Sequence, residues 1–92
     1  IDVRLTDEEE KEIDEIINKV MRDCEQQLID YHKLKTRKAG NKRHIDFHIT
    51  LNPNLTVKEA HDIVGCLKKE INSKFTNSRV NVHIDPDKDE DK

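Results

Sequence analysis

The chain has 92 residues, 40% of them charged, with a net charge of −3 and no Trp. That length makes one small domain with a thin core, and Leu, Ile, Val and Phe, about a quarter of the residues, are enough to exclude a wholly disordered chain. No run approaches the roughly 20 apolar residues of a membrane span, no signal peptide stands out, and the two cysteines, Cys24 and Cys66, form no CxxC pair, which suits free thiols rather than a disulfide scaffold.

The chain begins at Ile1 rather than Met and is therefore expected to be a piece of a longer protein. Its thin core points to burial supplied by a partner subunit, as in a homodimer.

The stretch "LTDEEEKEIDEIINKVMRDCEQQ" reads as a helix. Thr6 and Glu9 have capping-box spacing, and the acids of the first turn favour the positive end of the helix dipole. Ile13, Ile16, Ile17, Val20, Met21 and Cys24 form one apolar stripe, which makes Cys24 a core thiol. "LIDYHKLKTRKAGNKRHIDFHITL" then reads as a hairpin whose first strand runs from Leu28 to Arg37 with a bulge or twist. "KAGN" is the turn, with Gly40 free to take a positive φ. In the second strand Ile45, Phe47, Ile49 and Leu51 point to the core; His44, Asp46, His48 and Thr50 point away.

"NPN" breaks the chain, and Thr56 with Glu59 repeats the capping box. Val57, Ala60, Val64, Leu67, Ile71 and Phe75 are expected to form the stripe of a second helix, with Cys66 on its opposite side. "RVNVHIDP" is a third alternating strand, with Val80, Val82 and Ile84 inward and Arg79, Asn81, His83 and Asp85 outward; Pro86 closes it. The order is αββαβ, an α+β two-layer sandwich. A right-handed β-α-β crossover makes the second and third strands parallel. Both helices lie on one face of a three-stranded mixed sheet, and the other face is left open.

That open face carries the chemistry. His48 comes from the second strand; His83 and Asp85 come from the third, about 7 Å apart by strand rise. On the first strand Asp30, His32, Leu34 and Thr36 share a parity, which turns His32 the same way. His61, beside the second helix's stripe, is expected to reach the sheet edge. Neutral imidazoles with a carboxylate suit a borderline divalent ion, and three histidines with one carboxylate complete a tetrahedral zinc shell. His44, next to Arg43 at its strand's start, is read as a surface polar residue.

Other chemistries lack their residues. Ser73 and Ser78 stand in no nucleophile motif, and there is no HExxH and no phosphate-cradling glycine loop. An RNA-reading sheet needs aromatics on its open face, and the only Tyr is Tyr31. A KH domain needs GxxG, and a copper-chaperone domain of this topology needs a CxxC loop. The basic run of Lys33, Lys35, Arg37, Lys38, Lys42 and Arg43 is weak evidence for a nucleic acid. It is better read as a solvated hairpin, or as a surface facing anionic lipid headgroups or an acidic partner.

"YHKLKTRKAGNKRHIDFHITLNPNLTVKEAH" together with "VHIDP", residues 31 to 86, resembles the C-terminal cytoplasmic domain of the cation diffusion facilitator family of metal transporters. The shared features are the His before "LKTR", the glycine turn, the strand ending in a single His, the "EAH" at the second helix and the terminal H-x-D-P.

The resemblance implies a metallochaperone-like (ferredoxin-like) fold over residues 1 to 86, with an acidic flexible tail at 87 to 92. It implies a homodimer attached to a six-helix transmembrane domain absent from this chain. The piece itself would be soluble, the cytoplasmic part of an integral protein of the cell membrane. It implies no enzyme, no nucleic acid and no small-molecule substrate. Its role would be a metal sensor binding Zn2+, or another divalent transition metal, near the dimer interface to regulate transport. His32, His48, His61, His83 and Asp85 would be the ligands, with Asp85 between two ions. The alternatives are a purely structural dimerisation domain of the same fold and an αββαβ nucleic-acid-binding module.

Overall fold

The computed structural model describes residues 3 to 86; the acidic tail at 87 to 92 lies outside the described residues. The elements are α1 (Asp7–Asp23), β1 (Leu28–Ala39), β2 (Lys42–Leu51), α2 (Val57–Lys74) and β3 (Ser78–Asp85). Both helices open with the expected capping box. The Thr6 hydroxyl accepts from the Glu9 amide while the Glu9 carboxylate accepts from the Thr6 amide, and Thr56 and Glu59 do the same at α2.

The sheet has the order β1-β2-β3, with β1 and β2 antiparallel and β2 and β3 parallel. Gly40, at φ +64°, begins the tight turn that returns β1 into β2, a conformation other residues reach only with strain. The strand alternation puts Ile45, Phe47, Ile49 and Leu51 into the core against Ile13, Ile17 and Val20 of α1 and Ile63, Leu67 and Ile71 of α2. Both helices thus cover one face of the sheet, and Cys24 packs partly buried against this core.

Three sequence expectations need correction. Thr36 does not share the face of His32. The β1–β2 register slips between His32 and Lys35, where Lys33 sits at φ +56°, and this bulge turns the strand over. Thr36 is consequently buried on the helix side, its hydroxyl accepting from the Leu5 amide and donating to Glu10. Leu34, in the same slipped stretch, packs partly buried against the core.

The α2 stripe departs from expectation at its start: Leu67, Ile71 and Phe75 are buried, and Ala60 and Val64 pack partly buried against the core. Ile63 is buried, whereas Val57, the first helical residue, is 88% exposed. Counting back from Ile71 in steps of four gives Leu67 and Ile63, and Val57 falls off that line. On β3 the inward set fades along the edge strand: Val80 is buried, Val82 half-buried and Ile84 exposed.

Candidate metal centre

The register of β2 with both neighbours builds the open face. His48, on the central strand, is the partner of His32 on β1 and of His83 on β3, so three imidazoles stand in one row across the sheet. Their rings stack, His32 on His48 at 5.6 Å between centroids and His48 on His83 at 4.8 Å, with interplanar angles of 27° and 21°. Asp85 lies two residues along β3 from His83, on the same side of the strand. From there it reaches back over the row. His32 Nε2 donates to Asp85 Oδ2 at 2.9 Å and His48 Nδ1 donates to Asp85 Oδ1 at 3.0 Å.

Those two donors, with that of His48 foremost, hold the Asp85 carboxyl below the usual carboxylate range. The ligand atoms of His32, His48 and Asp85 all lie within 4.8 Å of one another, each residue half-buried. Ligands bound to zinc at about 2.0 to 2.2 Å in a tetrahedron stand roughly 3.5 Å apart, so the donors are already near that spacing. His32 Nδ1 is a buried atom with no hydrogen-bond partner, although Asp30 Oδ2 lies 3.3 Å away at an angle too oblique for a hydrogen bond. Two imidazoles and an ionised carboxylate form a donor set that fits a borderline divalent cation.

Three of the five expected ligands therefore meet. His83 joins the row by stacking on His48 but stands outside the tight group, and it is exposed. His61 is exposed on α2, in the helical layer, and does not reach the group within one copy. Asp30, which shares the parity of His32, stands beside it but outside the tight group. Asp30-Tyr31-His32 on β1 mirrors His83-Ile84-Asp85 on β3, and the same parity that turned His32 outward pointed to it. His44 lies four residues before His48 on the same side of β2, away from the group. Cys66 is exposed, and burial followed by the charge of Glu70 pushes its thiol up, which makes it a poor thiolate.

Comparison with known proteins places the chain. The family model for the cation efflux protein, cytoplasmic domain, matches residues 5 to 87. The chain belongs to this family.

Its curated relatives include an uncharacterised transporter of Synechocystis, 36% identical over 67% of this chain and 20% of that protein. The cation-efflux pump FieF of Shewanella oneidensis is 36% identical over 64% of this chain and 20% of the pump, and metal tolerance protein C1 of Arabidopsis thaliana is 36% identical over 60% of this chain and 12% of its own length. The chain thus spans about a fifth or less of these relatives.

Among solved structures, the zinc form of CzrB is similar with a TM-score of 0.80 at 26% identity, covering 91% of each chain. The metal-bound C-terminal domain of the CzcD transporter from Thermotoga maritima shares the fold, with a TM-score of 0.69 at 22% identity over 89% of this chain and 94% of that one. The αββαβ fold is that of cation diffusion facilitator cytoplasmic domains, which are transporter domains and not an enzyme class. No helix among the described residues is long and apolar enough to cross a membrane.

Proposed function

We propose that the chain is the metal-sensing dimerisation domain of a divalent-cation efflux transporter, and that zinc or a similar transition metal is the ion it senses. The observation that carries this reading is the meeting of His32, His48 and Asp85 on an uncovered sheet face, in a domain of the cation efflux family. These three would hold the ion, with His83 beside them as a further ligand. The relatives named as pumps, and a similar structure described as a zinc form, support a transported or sensed cation.

Dimerisation follows from what one copy leaves uncovered. α2 starts where β2 ends, and β3 runs parallel to β2, so Val57, His61, Ile84 and Asp85 share one end of the domain. Val57 and Ile84 are exposed at 88% and 52%. A second copy packed over this end would bury both. His61, one turn into α2, would serve the site from that second copy.

Without metal the acids and imidazoles of two such faces oppose each other. A divalent ion offsets the carboxylate charge, and binding to the closed dimer alone shifts the balance by roughly 2.7 kcal/mol at a hundredfold excess over Kd. Sedimentation of the chain with and without zinc tests the reading. A zinc-dependent shift from monomer to dimer is expected, and a monomer under both conditions at high micromolar concentration rules it out. A purely structural dimer would form to the same extent in chelator.

A further inference from the structure

We propose that the tip of the β1–β2 hairpin is a docking surface for the anionic headgroups of a phospholipid bilayer. This rests on reading the chain as the cytoplasmic part of a membrane transporter.

The first observation is charge. Six of the chain's 17 Lys and Arg, and none of its 20 acids, fall between Lys33 and Arg43 of an otherwise acidic protein. The structure removes two of the six from the surface inventory: Arg43 donates to Glu9 at 2.9 Å and lies over the Phe75 ring at 5.4 Å, and Arg37 also has a partner. Among the described residues, no carboxylate lies within 4 Å of the amines of Lys33, Lys35, Lys38 or Lys42.

The second observation is register. Arg37 pairs with His44, and His44 pairs with Arg79, so a row of basic residues crosses all three strands next to the tip, with Lys38 opposite Arg43 and Ala39 opposite Lys42 behind it. The open face is thereby polarised, acidic and imidazole-bearing at the Asp30–Thr50–Asp85 end and basic at the tip.

The third observation is orientation. Val3 bridges Lys38: the Lys38 amide donates to the Val3 carbonyl at 2.6 Å, and the Val3 amide returns a longer bond at 3.4 Å. Val3, where the described residues begin, therefore lies beside the basic tip. With the membrane-spanning part ahead of this chain, the tip faces the bilayer, and clusters of four to eight Lys or Arg just cytoplasmic of a span bind anionic lipid. A nucleic acid fits less well. Its bases need aromatic platforms, and Tyr31 turns to the helix side, edge-on to Phe47 and donating to Asp14, while Phe47 and Phe75 are buried.

Flotation of the chain with vesicles tests this. One set is phosphatidylcholine alone, the other carries about 30% phosphatidylglycerol, each at about 0.05 and 0.3 M salt. Binding is expected only to the anionic vesicles at low salt. The variant K35Q/K38Q/K42Q is expected to lose at least about tenfold in partition, with its melting temperature and its zinc-dependent gain retained. Equal binding to neutral vesicles, an unchanged partition of the triple variant, or tighter salt-sensitive binding of a mixed-sequence RNA than of vesicles overturns the proposal. A chain that gains stability from zinc but ignores vesicles sinks this inference and leaves the metal reading standing; a chain that floats with anionic vesicles but ignores zinc does the reverse.

Discussion

Asp85 accepts hydrogen bonds from imidazoles on two other strands, and this geometry assigns different weights to the five expected ligands. Asp85→Ala and His48→Ala should each remove most of the rise in melting temperature that zinc produces, since each removes a member of the tight group. His83→Ala should remove less, because its ring flanks the group from one side. Thermal melts with zinc and with chelator check this. An undiminished zinc effect in both of the first two variants would place the ion elsewhere. In chelator the same variants should melt close to the parent, because partly exposed polar pairs contribute little. Most of this site was legible in the sequence through strict alternation: D-x-H in β2 and H-x-D in β3 need only period two to place their side chains. Asp30 follows from the same alternation, sharing the parity of His32. The expected reach of His61 to the sheet edge depended on an α2 stripe running through Val57, whereas both residues are exposed.

At the scale of elements, helix starts and the central strand were the readable parts. Thr6 with Glu9 and Thr56 with Glu59 are local signals that require no tertiary context, and both hold. The β1 bulge is different. Nothing in "HKLKT" marks Lys33 for φ +56°, since a left-handed residue outside Gly, Asn or Asp is chosen by the fold around it. Edge position likewise uncovers Ile84 despite its inward parity. Glu9 shows how α1 is tied down. It caps its own helix and accepts from Arg43, and the Thr6 backbone bond, followed by Arg43, holds its carboxyl below the ordinary value. A depressed carboxyl contributes stability above its unfolded pKa of about 4.3 and loses that contribution as pH falls through the folded value. Glu9→Gln should therefore cost about 1 kcal/mol at pH 7, and the gap from the parent should close below about pH 4. Urea unfolding at the two pH values measures it, and a gap that persists at low pH would mean packing rather than charge. Gly40→Ala should cost about 1 kcal/mol as well: an added Cβ meets nothing, so only the backbone conformation at φ +64° resists it.

For the whole molecule, the proposed dimer joins two features of one end of the domain, the uncovered Val57 and Ile84 and the nearby imidazole row. Val57→Glu separates association from folding. The residue is the first of α2, where an acid favours the helix dipole, and its side chain is already in water, so the monomer should melt unchanged. Zinc-driven dimerisation of that variant should nonetheless weaken at least about tenfold, as an unpaired charge is buried at the interface. The dimer should also sense protons with a definite sign. Imidazole ligates only when neutral, its ordinary pKa is about 6.5, and below that value each ligating histidine costs about tenfold in metal affinity per pH unit. Asp85, held low by His48 and His32, stays ionised across this range and adds nothing to the slope. Zinc-dependent dimer formation should therefore fall steeply between about pH 7 and pH 5.5, with more than one proton taken up for each ion released. Sedimentation across that window at fixed free zinc, with calorimetry in buffers of different ionisation enthalpy, counts those protons. A count near zero at about pH 6 would mean that carboxylates, and not the row of His32, His48 and His83, hold the ion.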